Sequence, residues 1–119
     1  MNPLRTKKET EKNIIEEDWG SLAWLANSEL TNSDITAGRV IIKAGKANPR
    51  HCHDTCEEIL YLLHGQLTHS LGDKKIKITA GDTLVVPPGI MHNGINTGNV
   101  DADMIVIYSS GQRDFRKET

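Results

Sequence analysis

The amino-acid sequence predicts an all-β domain, either a sandwich or a barrel built from short strands. Turn-forming groups such as Asn48-Pro49, Gly72-Asp73 and Pro87-Pro88-Gly89 recur along the chain. Between the turns lie short runs rich in Val, Ile, Leu and Thr, at a spacing of roughly 8–12 residues that is typical of all-β folds. No helical pattern of about 10–15 residues separates these runs, so we expect no alternation of strands and helices.

Length and composition narrow the class of protein further. The 119 residues suit one domain, and the net charge of −2 argues against nucleic acid or an anionic membrane as a partner. No apolar run approaches the about 20 residues of a membrane span. The first eighteen residues contain no apolar stretch that would suit a secretory signal, and the two cysteines are too few for a disulfide framework. We therefore expect a cytoplasmic protein.

The elements follow in chain order from these signals. Residues 1–13 carry charge without apolar periodicity, and the chain becomes apolar around Trp19 and Trp24, which we expect to pack the N-terminal segment on the barrel or on a partner. We divide the chain into an N-terminal arm, residues 1–18, and a single β-barrel domain, residues 19–119. A tight turn at Gly72-Asp73 predicts a hairpin. The predicted strands beyond the N-terminal segment are Gly38–Lys43, Glu57–Leu63, Leu67–Leu71, Lys75–Thr79, Thr83–Val86 and Met104–Tyr108.

One predicted strand, Glu57–Leu63, is apolar on both faces. Leu60 and Leu62 lie on one face, and Ile59 and Tyr61 lie on the other. A strand with one face in water alternates more cleanly. We therefore expect the N-terminal segment or a second subunit to cover the outer face, and we predict a homodimer.

Histidines supply the strongest chemical signal. His51 and His53 are two residues apart, so on a strand both imidazoles point to one face and can bind a single metal ion. Glu58 lies at an odd offset from His53 and needs a turn at Asp54-Thr55-Cys56 to reach the same face. His92 follows Pro87-Pro88-Gly89 and would complete a site of three nitrogens and one oxygen. The His-x-His pair alone is weak evidence, because surface histidines two apart are common.

The spacing around these residues resembles that of the cupin superfamily. Both cupin motifs, G-x5-HxH-x3,4-E-x6-G and G-x5-P-x-G-x2-H-x3-N, match at every fixed position, over residues 45–65 and 81–96. The resemblance implies a small single-domain cupin: a double-stranded β-helix, or jelly-roll barrel, with an N-terminal arm. Glu57 rivals Glu58 as the acidic ligand, and the six-residue run to Gly65 favours Glu58. The resemblance places a metal inside one mouth of the barrel, bound by His51, His53, Glu58 and His92.

Such a ligand set suits transition metals. Three neutral imidazoles and a carboxylate match the preferences of Fe, Mn, Ni or Zn better than those of Mg or Ca. We expect one divalent ion per chain, with two adjacent open positions if the ion is octahedral. Those positions suit an anionic or enolic small molecule, or dioxygen.

Several other polar residues are candidates for roles near the metal. His69 shares a strand face with two leucines and is a candidate acid or base, the alternative being a half-buried strand histidine. Tyr108 ends a strand and either donates a hydrogen bond to a ligand or caps the core. Arg39 either binds a substrate carboxylate or forms a salt bridge at an edge or interface. Asn96 is expected to support the barrel end, and Cys52 to point away from the histidines.

The sequence indicates less about the reaction than about the metal site. Similar ligand sets occur in oxygenases, decarboxylases, isomerases and binding modules, so the fold does not decide the function. Our leading prediction is a metal-dependent, dioxygenase-like oxidoreductase acting on a small oxygen-rich organic molecule. The alternatives are a sugar or sugar-acid isomerase or epimerase, in which His69 would move the proton, and a non-catalytic small-molecule binding module.

Overall fold

The structure, a computed structural model, describes residues 3–119, and Met1 and Asn2 of the predicted arm lie outside the described residues. Two short helices and eleven strands make up the described chain. Neither helix approaches the length and apolarity that crossing a membrane would require. In chain order the elements are α1 (Lys7–Glu11), β1 (Ile15–Glu17), β2 (Gly20–Ala26), α2 (Ser28–Thr31), β3 (Thr36–Ile42), β4 (His51–Cys52), β5 (Glu58–His64), β6 (Gln66–Leu71), β7 (Lys74–Thr79), β8 (Thr83–Val86), β9 (His92–Ile95), β10 (Ala102–Tyr108) and β11 (Arg116–Lys117).

The strands form two antiparallel sheets that face each other as a jelly roll. One sheet has the order β1-β2-β3-β10-β5-β8 and the other the order β11-β4-β9-β6-β7. Inward residues of both sheets fill the space between them, as the alternation of burial along β3 and β10 shows. The prediction of an all-β jelly-roll barrel is confirmed. The largest apolar side chains that are fully buried are Ile42, Leu62, Leu67, Met104, Val86 and Val106.

Each of the six strands predicted from the sequence is present, as β3, β5, β6, β7, β8 and β10. Their bounds differ from the predicted ones by two residues at most. Gly72 and Asp73 form the expected two-residue turn, since Leu71 pairs directly with Lys74. Gly72 adopts a φ of 60°, a left-handed conformation that glycine accepts without strain.

The described part of the N-terminal arm is ordered and lies on the barrel surface. Its helix α1 buries no residue and begins with a capping box between Thr6 and Glu9. Strand β1 pairs with β2, which in turn pairs with β3. The helix is held by its cap rather than by an apolar face, so the sequence shows no apolar periodicity there.

The outer face of β5 stays uncovered in the single chain. Ile59, Tyr61 and Leu63 are 38%, 44% and 46% exposed. The N-terminal strands extend the sheet beyond β3, on the side of β10 that is remote from β5, so they do not cover these residues. The sequence predicted that the N-terminal segment or a second subunit covers this face. The N-terminal segment does not, so cover by a second subunit stays a prediction.

Candidate metal centre

Four side chains from three parts of the sequence meet inside the barrel. His51 lies on β4, Glu58 begins β5 and His92 begins β9, while His53 directly follows β4. One potential ligand atom from each residue lies within 4.8 Å of those from the other three, and all four residues are buried. Pairing of β4 with β9 sets His51 opposite His92. The structure thus brings together the four residues expected from the sequence, with Glu58 rather than Glu57 in the group.

A tight turn after His53 delivers Glu58 to the interior. The carboxylate of Asp114 accepts hydrogen bonds from the backbone N–H groups of Asp54 and Thr55, at 2.5 and 3.1 Å, and from the Thr55 hydroxyl at 2.6 Å. Because these bonds hold the turn, the chain re-enters the sheet with Glu58 facing inward and Glu57 exposed. The turn expected at residues 54–56 is therefore present, and a residue from the C-terminal segment stabilises it.

Backbone carbonyl groups orient all three imidazoles. The Nδ1 atoms of His51, His53 and His92 lie 2.7, 2.7 and 2.9 Å from the carbonyl oxygens of Pro49, Asp114 and Ile90. A carbonyl oxygen only accepts hydrogen bonds, so each Nδ1 carries the proton. Each neutral ring then presents the lone pair of its Nε2 atom as a ligand.

A second loop supports the third histidine. Gly89 donates its backbone N–H to the carbonyl oxygen of His53 at 2.8 Å, and it adopts a φ of 79° in the turn that follows β8. This bond ties the segment Pro87-Pro88-Gly89 to the end of β4, so the lead-in to His92 is held against the strand that carries the other histidines. This arrangement suits a role for the segment in positioning His92.

The charge states of His51 and Glu58 favour binding of a cation. Burial is the main cause that lowers the pKa of His51, to about 4, so this ring is neutral at neutral pH. Burial alone would raise the pKa of Glu58, but its contacts with His53 and His92 outweigh that effect and hold this pKa below its ordinary value. The carboxylate therefore stays ionised in the interior.

The donor atoms fit a transition-metal ion. Glu58 Oε1 lies 3.0 Å from His92 Nε2 and 3.3 Å from His53 Nε2, and the buried Nε2 of His53 has no hydrogen-bond partner in the described chain. Neutral Nε2 lone pairs and a carboxylate oxygen repel one another at these distances unless a proton or a cation lies among them. With bond lengths of about 2.0–2.2 Å, ligands on opposite sides of a metal are about 4 Å apart, close to the spread observed. The residues present could thus hold a divalent metal.

A cavity of about 390 Å³ lies beside the four ligands. Its volume is at the lower end of the range for small-molecule sites, about 300–1,000 Å³. Charged side chains on its wall are Glu17 from the arm and, from the C-terminal segment, Arg113 and Lys117. The apolar lining includes Trp19, Leu22, Val40, Leu60, Met104 and Val106.

Both predicted catalytic residues line this cavity. The His69 ring stacks on that of His92, with centroids 5.6 Å apart, and burial is the main cause that lowers its pKa to about 4. The ring of Tyr108 lies 4.8 Å from that of His53. Burial, with the charge of Glu58, raises the pKa of Tyr108, so its hydroxyl keeps its proton.

Arg39 is not brought to this site. Its side chain lies on the outer face of β3 and forms a two-point ion pair with Asp103 of β10, at 2.9 and 2.6 Å. Even strand positions such as Val40 and Ile42 point inward, so the odd position of Arg39 points out. Hence the expected contact with a substrate carboxylate is absent from the cavity, and Asp103 is paired rather than fully solvated.

Two other sequence expectations concern residues beside the site. Asn96 donates its side-chain N–H groups to the carbonyl oxygens of Ile42 and Val100, both at 2.9 Å, and so joins loops at the barrel end. Cys52 and Cys56 are buried free thiols outside the ligand group.

Sequence reasoning missed the C-terminal segment, residues 113–117, which builds one wall of the site. Its Asp114 carbonyl orients His53, and its Phe115 ring stacks on His51 with centroids 4.7 Å apart. Strand β11 then pairs with β4. No motif marks this segment; its two-residue strand is too short for an alternation signal.

The fold and the four converging residues define a β-barrel domain with a buried three-histidine, one-carboxylate site. The model of the Cupin domain family matches residues 38–108. The chain belongs to the cupin family.

Relatives of this chain include one of nearly equal length. The uncharacterized protein MJ1618 of Methanocaldococcus jannaschii is 32% identical over 106 residues, covering 84% of this chain and 81% of that protein. Oxalate oxidase 1 of Hordeum vulgare is 32% identical over 84 residues, which are 64% of this chain and 42% of that protein. Germin-like protein 3-5 of Oryza sativa subsp. japonica is 32% identical over 84 residues, 64% of this chain and 37% of that protein. The chain spans less than half the length of the oxalate oxidases and germin-like proteins that it matches.

Solved structures share the architecture. A mutant of the Bacillus subtilis oxalate decarboxylase superposes with a TM-score of 0.83 at 20% identity, over 90% of this chain and 30% of that chain. A recombinant oxalate oxidase in complex with glycolate superposes with a TM-score of 0.75 at 23% identity, over 82% of this chain and 54% of that chain. At this identity the likeness establishes the fold alone.

Proposed function

We propose that this protein is a metal-dependent oxidoreductase of the dioxygenase type that acts on a small oxygen-rich organic molecule. The observation that carries the proposal is the cluster of His51, His53, Glu58 and His92 beside a cavity of about 390 Å³, which all of these residues except His53 line. Relatives named oxalate oxidase support a substrate of this size and chemistry.

Each part of the site has a role in this proposal. A divalent metal held by the four ligands would polarise a substrate oxygen and supply the one-electron chemistry that dioxygen requires. The three imidazoles are fixed by their carbonyl partners, so the ligand geometry is set before substrate enters. In a dioxygenase both atoms of dioxygen enter the product, so no further reductant is needed.

Tyr108 and His69 are the catalytic residues that we propose. The Tyr108 hydroxyl keeps its proton and is available as a hydrogen-bond donor to a substrate oxygen as negative charge develops there. The His69 ring borders both the cavity and His92, so it is placed to exchange a proton with bound substrate. Apolar side chains around them exclude water.

The test begins with elemental analysis of untagged protein purified without chelators or nickel resin. We expect iron or manganese at one ion per chain, followed by oxygen uptake with a panel of enols, catechols and small organic acids. Uptake that matches loss of one substrate supports the proposal. Metal far below one per chain, or no uptake with any panel member, contradicts it.

Isomerisation is the second candidate, because His69 lines the cavity beside a metal ligand and could move a proton between two carbons. In that case substrate is converted without consuming oxygen, and His69→Gln abolishes the conversion. The matched control is His64→Gln, since His64 is exposed at the end of β5. Tight binding with no conversion at all would instead indicate a binding module.

We also propose that the protein works in the cytoplasm as a homodimer, with neither nucleic acid nor membrane as a partner. Two free, buried thiols suit a reducing compartment. The uncovered apolar face of β5 is the surface that a second subunit would bury.

A further inference from the structure

Two cations on the cavity wall, Arg113 and the exposed Lys117, have no ion-pair partner among residues 3–119, and Arg113 is the less exposed of the two. Arg113 lines the cavity, yet no carboxylate of residues 3–119 forms an ion pair with it. Its buried Nε atom also lacks a hydrogen-bond partner in that part of the chain. By contrast, Arg39 and Arg116 pair with Asp103 and Asp54 at 2.6 and 2.9 Å. An unpaired buried donor is costly, so residues 3–119 leave this Nε atom without a partner and the guanidinium without a counter-charge.

Three aromatic rings hold the guanidinium of Arg113 in place. Its Cζ atom lies 4.9 Å from the ring centre of Trp24, 5.2 Å from that of Tyr108 and 5.0 Å from that of Phe115. These cation–π contacts stabilise the charge and restrict its position. Tyr108 also forms a side-chain hydrogen bond with Arg113, but a neutral hydroxyl supplies no counter-charge to a guanidinium that carries five N–H donors. The three rings therefore fix the position of the Arg113 guanidinium but do not neutralise its charge.

Arg113 lies one ring away from the metal ligands. Tyr108 is between it and His53, whose ring centre is 4.8 Å from that of Tyr108. Phe115 is between it and His51, with ring centres 4.7 Å apart. Arg113 and three of the metal ligands line the same cavity, so a ligand that reaches both the guanidinium and the metal site carries two oxygen groups.

The electrostatic balance of the cavity also favours an anion. One carboxylate leaves a divalent ion with about one positive charge, because the three imidazoles are neutral. Arg113 and Lys117 add two cations to the wall, against Glu17 alone. An organic anion that enters this cavity is therefore attracted both by the metal ion and by the cations on the wall.

We propose that Arg113 binds the carboxylate of the substrate and so selects a compact organic acid whose second oxygen group faces the metal ligands. This inference deepens the proposed function and rests on it. A guanidinium accepts a carboxylate through two parallel hydrogen bonds, which a lysine does not reproduce. Arg113 thus takes the role of binding a substrate carboxylate that was one of the two predicted for Arg39.

The experiment compares acids with their neutral amides. Calorimetric titration of metal-loaded, full-length protein uses glycolate against glycolamide and 3-hydroxybenzoate against 3-hydroxybenzamide. Wild-type protein should bind the acid more tightly in at least one pair. Arg113→Gln should weaken binding of that acid about 10- to 100-fold and leave binding of the amide nearly unchanged. Arg113→Lys should restore part of the preference, and the control Arg39→Gln should keep all of it.

Two results overturn the inference. One is a wild-type protein that does not prefer the acid in either pair, and the other is an Arg113→Gln variant that still prefers it. A purely packing role for Arg113 would weaken acid and amide alike, which also counts against the inference. Failure of the proposed function is seen separately, as absence of metal or of oxygen uptake in wild-type protein.

Discussion

The carbonyl oxygen of Asp114 accepts the hydrogen bond from Nδ1 of His53 at 2.7 Å, across 61 residues of sequence. Through this bond the C-terminal segment decides which nitrogen of His53 faces the other ligands. The carboxylate of the same Asp114 holds the turn that brings Glu58 inward. One residue outside both cupin motifs therefore positions two of the four candidate ligands.

Shortening the C-terminus tests this relationship. A chain that ends at Arg113 loses the Asp114 carbonyl, the Phe115 ring and strand β11, so His53 is free to rotate. Such outer partners of a metal ligand typically contribute 10- to 100-fold to affinity, so we expect about that loss, measured by competition with a fluorescent chelator. Removal of Thr119 alone is the control. Wild-type affinity in the shorter chain, with its β-sheet circular dichroism intact, would show that the segment has no such role.

The ligands themselves predict a simple pattern of metal content. His51→Ala and His92→Ala each remove a donor that no neighbour replaces, and purified protein should then contain little metal. Glu58→Gln should also lower metal content strongly, because a neutral amide binds a divalent ion poorly. The matched control is Glu57→Gln, whose side chain is exposed and outside the ligand group. Metal bound at the wild-type level in both histidine variants would refute the site.

The two tyrosines of this chain offer a matched pair for the proposed catalytic role. Tyr108→Phe removes one buried hydroxyl without changing the ring that packs on His53. We expect unchanged metal content, a change in the free energy of unfolding of about 1 kcal/mol at most, and turnover lowered about 100-fold. Tyr61→Phe, on the exposed face of β5, should alter none of these. Equal turnover of the two variants would remove Tyr108 from the mechanism.

Dimerisation can be tested at the uncovered face of β5. Ile59 pairs with Val85 of the edge strand β8, and both are exposed, at 38% and 48%. Burial of such a patch contributes about 25 cal/mol per Å² of apolar area, so a charge on this face of β5 should disfavour association. Light scattering should give the mass of a dimer for wild-type protein and of a monomer for Leu63→Glu. Val100→Glu changes an exposed apolar residue outside β5 and β8 and should remain dimeric.

The alternation of apolar residues made most of the barrel predictable. Strand runs such as Thr83–Val86 are bounded by glycine and proline turns, and the period of two decides which side chains face the core. The site ligands could be predicted for a related reason: His51, His53 and Glu58 are close in sequence, and their spacing around one turn limits where the side chains can point. The spacing of the proline-glycine segment before His92 matched a known motif.

The sequence by itself determined the fold class, because local periodicity and turn chemistry act over a few residues. Its resemblance to the cupin motifs indicated the four ligands, while the placement of His69 and Tyr108 stayed open. Only the tertiary structure decided the long-range partners. The packing of the two sheets decides whether the odd-numbered residues of β3 face the core or point outward. In this fold they point outward, so Arg39 lies on the surface and pairs with Asp103. The wall made by Arg113, Asp114 and Phe115 arises because the chain crosses back over β4 after β10, and a contact between residues some 60 positions apart leaves no local pattern to detect.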